Sequence, residues 1–143
     1  MLFSQTRKHK IVATSSAETV GKVKGFVVDP SSRSVVALRV KGHKGGDTLH
    51  WADVATVGPD AVTVASPDAV KDASQSVSDL GGKDNTMVDK RVLSTDGDEI
   101  GVVTDVEFDG STGAITYLMV DGAPVPAERL VGVGSWAVVV RTA

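Results

Sequence analysis

The sequence predicts an all-β protein built as two tandem small β-barrels related by pseudo-symmetry, with a short connecting helix. Two observations carry that reading. Short runs with period-two apolar alternation recur between turn signals, which is the pattern of half-buried strands. One such stretch also occurs twice. Thr19–Gly42 (TVGKVKGFVVDPSSRSVVALRVKG) aligns without a gap on Glu99–Gly122, 80 positions later. Val20 falls on Ile100, Gly21 on Gly101, Val23 on Val103, Asp29 on Asp109, Leu38 on Leu118, Val40 on Val120 and Gly42 on Gly122. The match resumes at an offset of 76, where Val57-Gly58 meets Val133-Gly134 and Ala61-Val62 meets Ala137-Val138. A duplication of this kind states what the chain is built from.

The boundaries follow from the repeat: residues 1–66 for the first unit, 67–89 for a helix and link, and 90–143 for the second. A unit of about 60 residues is near the lower limit for burying its own core, so the two are expected to pack on each other or on a partner. In order, Leu2 and Phe3 are expected to pack on the body. Lys10–Ala13 forms a short first strand. Val20–Asp29 and Val35–Lys41 form a long hairpin across Pro30-Ser31-Ser32-Arg33. Thr48–Trp51 and Ala61–Ala65 are further short strands, with a helical turn near Asp53-Val54 between them. Ser66 is placed to cap a helix and Pro67 suits its first position. Val70, Ala73, Val77 and Leu80 share one helical face, and Gly81-Gly82 is placed to end it. In the second copy Ile100, Val102, Val106 and Phe108 share one parity with Thr104, against Gly101, Val103, Asp105 and Glu107. Gly21 and Gly101 inside strands predict a bulge or sharp coil.

The net charge of −3 is divided unevenly. Residues 1–66 carry nine basic against five acidic side chains, a balance of +4; residues 67–143 carry six against thirteen, −7. Docking of opposite halves or head-to-tail self-association follows from that split. A net-acidic chain with only 4% aromatics argues against general nucleic-acid binding, although Arg7, Lys8, Lys10, Lys41 and Lys44 form a candidate basic patch. No apolar run approaches the ~20 residues of a membrane span, so no membrane insertion is expected. The start MLFSQTRKHK has the wrong order for a secretory signal, and a cytoplasmic location is the simplest expectation.

The chemistry-bearing residues are sparse. There is no cysteine, and His9, His43 and His50 have no partner at metal-ligand spacing. Asp96, Asp98 and Glu99 resemble a fragment of a calcium loop, but Glu99 comes too early to be the distal ligand. No phosphate loop or nucleophile motif is present. No catalytic residue, metal or cofactor is therefore expected, and the chain reads as not an enzyme. The best candidate surface is a set of residues on the second face of apolar strands: Val23, Val27 and Val35 in the first copy, Val103, Ile115, Tyr117 and Met119 in the second. A strand apolar on both faces is buried on both, either between the barrels or under a partner. Trp51 and Trp136 do not align across the copies and read as core or rim residues.

The repeated pattern resembles the PRC-barrel family: Val20-Gly21-Lys22-Val23 with Asp29, Leu38 and Val40, and again Ile100-Gly101-Val102-Val103 with Asp109, Leu118 and Val120. The start Met1-Leu2-Phe3-Ser4 is similar to that of stand-alone bacterial members. The tandem arrangement resembles bacterial, notably actinobacterial, proteins. The resemblance covers the chain apart from Ser66–Asp89 and implies a non-catalytic barrel. Family members occur in a photosynthetic reaction-centre subunit and in a ribosome maturation factor, so the resemblance implies docking onto a larger assembly. A protein-interaction or adaptor role is the leading expectation, with an unidentified protein partner. The alternatives are an RNA-processing or ribosome-maturation-associated factor, and a small-ligand or metal sensor.

Overall fold

The computed structural model describes residues 1–43, 45–80 and 87–142. Thirteen strands form two sheets. The first contains β1 (Lys10–Ala13), β2 (Thr19–Asp29), β3 (Ser34–Lys41), β4 (Thr48–His50), β5 (Val54–Val57), β6 (Ala61–Val64) and β7 (Val70–Lys71). The second contains β8 (Arg91–Ser94), β9 (Glu99–Phe108), β10 (Ile115–Val120), β11 (Ala123–Pro126), β12 (Leu130–Val133) and β13 (Ala137–Val140). The strand orders are β5-β6-β1-β2-β3-β4-β7 and β12-β13-β8-β9-β10-β11, so the second repeats the first without its last edge strand. Both contain one parallel pair, β1 with β6 and β8 with β13. Helical turns at Trp51–Asp53 and Ala127–Arg129 occupy equivalent places.

Neither sheet is closed into a barrel by hydrogen bonds among the described residues. Each instead folds over as two leaves sharing one long strand. In β9, Glu99–Val102 pairs with β8 and Val103–Phe108 with β10. In β2 the corresponding leaves are β1 and β3. The fold-over is built with bulges, which bend a strand and increase its twist. One lies at Val20 and Ile100, beside the two glycines; a second at Lys24 and Thr104; a third, on the return strands, at Val36 and Thr116. The glycines are needed for close approach. A Cβ on Gly21 would stand 2.7 Å from Val40 Cγ1, and one on Gly101 would stand 2.6 Å from Asp121 Oδ2.

The bulge at Thr104 corrects the uniform alternation expected of this strand. Val103, Val106 and Phe108 point into the core, whereas Ile100 and Val102 are exposed. The expected helix over Ser66–Gly82 is also revised. Ser66 Oγ does accept from Asp68 N–H, but it caps only the 3-10 turn Pro67–Ala69. Val70 then enters β7, where it pairs with Leu49 and covers an otherwise open sheet edge. The helix α2 is Gln75–Leu80, with Val77 packed on Val27 and Ala37. Gly81-Gly82, expected to end it, lies outside the described residues, and the first sheet continues to Lys71.

The repeats share one apolar core. Phe108 of the second lies 5.5 Å from Phe3, 5.8 Å from Phe26 and 6.3 Å, edge-on, from Trp51, all of the first. The helix α1 (Phe3–Thr6) of the first segment rests on β9, and Met1 exchanges hydrogen bonds with Phe108. The hairpin tips meet in a self-complementary bridge. Val35 N–H donates to Gly113 O at 2.8 Å, and Ile115 N–H donates to Arg33 O at 2.9 Å. These two bonds exchange under the 80-residue repeat, and the bridge they frame joins Ser34 to its own equivalent, Ala114. A pseudo-two-fold axis therefore passes between those residues, as in an isologous dimer contact made within one chain.

Candidate functional site

The interior accounts for most of the residues expected on a second apolar face. Val23, Val35, Val103 and Ile115 lie in the common core, and Val27 lies in the smaller cluster beneath α2. They form no exposed surface. Tyr117 is exposed on β10, opposite Glu107 and Pro126, and Met119 is half-buried beside Asp105.

A different apolar surface is open on the outside of the second repeat. Val102 and Ile100 project from the outer part of β9, turned outward by the bulge pattern. Arg91 on β8 pairs directly with Val102 on one side and Ala137 on the other. Its guanidinium lies 4.5 Å from the centre of the Trp136 ring, and its Nη1 is 3.5 Å from Glu99 Oε1. Trp136, at the start of the β13 arm, is 60% exposed. The cation over the ring holds two large side chains in one orientation.

The first repeat supplies an internal comparison. At the places of Val102 and Trp136 it has Lys22 and Asp60, both exposed and charged, and the equivalent of Ile100 is the buried Val20. The same backbone thus presents an apolar face in one copy and a charged one in the other. Folding of the repeat does not require Val102 or Trp136 to be apolar, since the other copy does without.

The basic residues are brought together only in part. Lys10 is opposite Lys22, and Lys22 is opposite Lys41, so three lysines stand in a row across β1, β2 and β3. Lys22 was absent from the patch expected from sequence; the cue was its equivalence to the strand position between the two others. Lys8 is exposed just after α1 with a positive φ of 75°, a backbone state shared by its equivalent Asp89. Arg7 stands apart on the rim of a cleft between the repeats. Lys44 lies outside the described residues.

Most of the carboxylates and two of the histidines have local partners, whereas His9 Nδ1 and His50 Nδ1 are buried with no hydrogen-bond partner among the described residues. His50 Nε2 accepts from Ser74 N–H at 3.1 Å and His43 Nδ1 from Gly45 N–H at 2.9 Å. Asp96 accepts from Thr142, Asp105 from Ser4, and Glu99 is paired with Arg91. Asp29 and Asp109 form equivalent turns, accepting from the hydroxyl and N–H of Ser31 and Ser111 respectively. These bonds, the hydroxyl first, hold both carboxyls below the ordinary carboxylate range. Among the described residues no group of three or more His, Asp or Glu side chains is arranged to hold a metal ion. No helix among them is long and apolar enough to cross a membrane.

The arrangement defines a two-repeat all-β protein with an asymmetric outer surface. Residues 82–142, which hold the second repeat, match the PRC-barrel domain family model, and the first repeat has the same strand order. No curated protein matches the chain.

Proposed function

We propose that the chain is a non-enzymatic protein-interaction module of a larger assembly, and that it receives its partner on the outer face of the second repeat, around Val102 and Trp136. The carrying observation is the divergence of that face from its equivalent in the first repeat, where Lys22 and Asp60 stand in the same places. Exposed Trp and Arg side chains, already ordered against each other, are the residue types that dominate binding energy at protein interfaces. The PRC-barrel domain supports the same reading, because the family resemblance implies docking onto assemblies.

Affinity capture of the tagged full chain from its native cell after mild crosslinking tests this. A defined protein set that resists ribonuclease and is lost with Trp136→Glu is the expected result. Retention of that set by a folded Trp136→Glu protein would contradict the assignment.

A second reading rests on the lysine row. Lys10, Lys22 and Lys41 lie at adjacent-strand spacing, about 5 Å apart, and present cations suited to a phosphate backbone. It predicts RNA retention that falls steeply with salt and is weakened by Lys22→Glu. The absence of RNA binding at low salt removes it.

A further inference from the structure

We propose that the cleft on the pseudo-two-fold axis binds a small organic anion with a compact apolar body. The cleft has a volume of about 270 Å3. That lies at the lower edge of small-molecule sites, roughly 300–1,000 Å3, and suits one ring or branched chain with its charged group.

The axis runs through the cleft because equivalent residues line both sides of it. Arg7 and its equivalent Val88, Lys24 and Thr104, and Gly25 and Asp105 all line it. The concavity is thus a product of the duplication: it opens where the bulges at Lys24 and Thr104 bend the two long strands. Its chemistry is not duplicated. Arg39 of β3 adds a third cation to the first-repeat side, and its equivalent in β10 is Met119. At each of the three places where the first repeat has a cation, the second has an uncharged residue. One wall is therefore basic and the other is not.

The floor is apolar. Phe26 is stacked on Phe3 at 3.9 Å between ring centres, and Val28 and Met87 are buried beside them. Arg7, Lys24 and Arg39 have no hydrogen bond or ion pair from their side chains among the described residues. The one carboxylate lining the cleft among the described residues is already engaged: Asp105 Oδ1 accepts from Ser4 N–H at 3.1 Å and Val106 N–H at 2.9 Å, and Oδ2 accepts from Ser4 Oγ. Three cations with no partner among the described residues, set around an apolar floor, attract an anion and focus its approach. A bare inorganic anion would leave the aromatic floor wet, whereas a neutral apolar molecule would leave the cations unanswered. Both walls are satisfied by one molecule whose carboxylate, sulfonate or phosphate faces the first repeat and whose body rests on Phe26 and Met87.

This inference does not depend on the docking face, and the test separates them. The full chain is titrated calorimetrically with benzenesulfonate, with the uncharged benzenesulfonamide, and with inorganic phosphate as competitor. Saturable one-site binding of the sulfonate is expected. Lys24→Ala and Arg39→Ala each weaken it by roughly tenfold, the ratio that one charge-assisted hydrogen bond supports. Trp136→Glu leaves it unchanged, the uncharged probe binds more weakly and is indifferent to Lys24→Ala, and phosphate does not displace the sulfonate. Absence of saturable binding, equal affinity in the Lys24 and Arg39 variants, loss with Trp136→Glu, or equal affinity for the uncharged probe overturns the proposal. Displacement by phosphate alone overturns the requirement for an apolar body. Lys24 is exposed, so its variant remains folded and decides the outcome even where Arg39→Ala is destabilised.

Discussion

Replacing Phe108 by Ala probes whether the two repeats are one cooperative body. Phe108 is 1% exposed, and its three aromatic neighbours, Phe3, Phe26 and Trp51, all belong to the first segment. Truncating a buried Phe to Ala costs about 3–5 kcal/mol, from lost transfer energy plus the cavity left behind. A native domain has about 5–15 kcal/mol in total, so the variant is expected to remain folded but to be greatly weakened. The assay is urea unfolding in a Trp136→Phe background, where Trp51 is the single tryptophan and reports on the first repeat. Far-UV circular dichroism reports on both. With an m-value of about 2 kcal/mol per molar urea, the midpoint falls by about 2 M. The fall is the same by both probes, because a second-repeat side chain completes the first repeat's core. Two separated transitions, or a Trp51 transition that does not move, would refute the shared core.

Three further outcomes follow from the same geometry. Lys22→Glu converts two like-charged cross-strand pairs into opposite ones, so thermal unfolding should show a gain of about 1 kcal/mol, fading in molar salt. Gly101→Ala would bring its Cβ within 2.8 Å of Val120 Cγ1, at a φ of 148° that favours glycine, and should lower stability by about 1–3 kcal/mol in urea titration. The lowered carboxyls of Asp29 and Asp109 contribute stability that is complete above the ordinary carboxylate pKa of about 4 and is lost as pH falls through their folded-state values. The variant Ser31→Ala with Ser111→Ala should therefore be less stable than the parent at pH 7 and closer to it at pH 2; an equal deficit at both would contradict this.

The duplication was legible because the positions that repeat are those the fold constrains most. Gly21 and Gly101 face a neighbouring strand too closely for a side chain, and Leu38 and Leu118 are fully buried in both copies. The alternation of β9 departs from period two for a local reason. Strict period two places Val102 with Val106, but the bulge at Thr104 adds a residue and turns Val102 outward. Nothing in the residue type of Thr104 marks a bulge, and only the equivalence to Lys24 identifies it as part of the repeat. The segment after Ser66 is ambiguous in sequence because Val70 suits a helical face and a sheet edge equally. Pairing with Leu49 decides between them, and that contact is 21 positions away in sequence. The outer apolar face around Val102 and Trp136 is hidden in the sequence for the same reason as the alternation of β9. Parity groups Val102 with Val106 and Phe108, which are buried, and Arg91 is brought onto Trp136 only by the parallel pairing of β8 with β13.

The most direct test exchanges the two outer faces. One protein carries Val102→Lys with Trp136→Asp, giving the second repeat the residues of the first. The other carries Lys22→Val with Asp60→Trp, altering the first repeat and leaving the second intact. Both alter exposed positions on a backbone that already accommodates the introduced residues in the other copy. In quantitative crosslinking capture, the first protein should lose the partner set and the second should keep it. Retention by the first protein, with its urea midpoint unchanged, would contradict the account's assignment of docking to the second repeat.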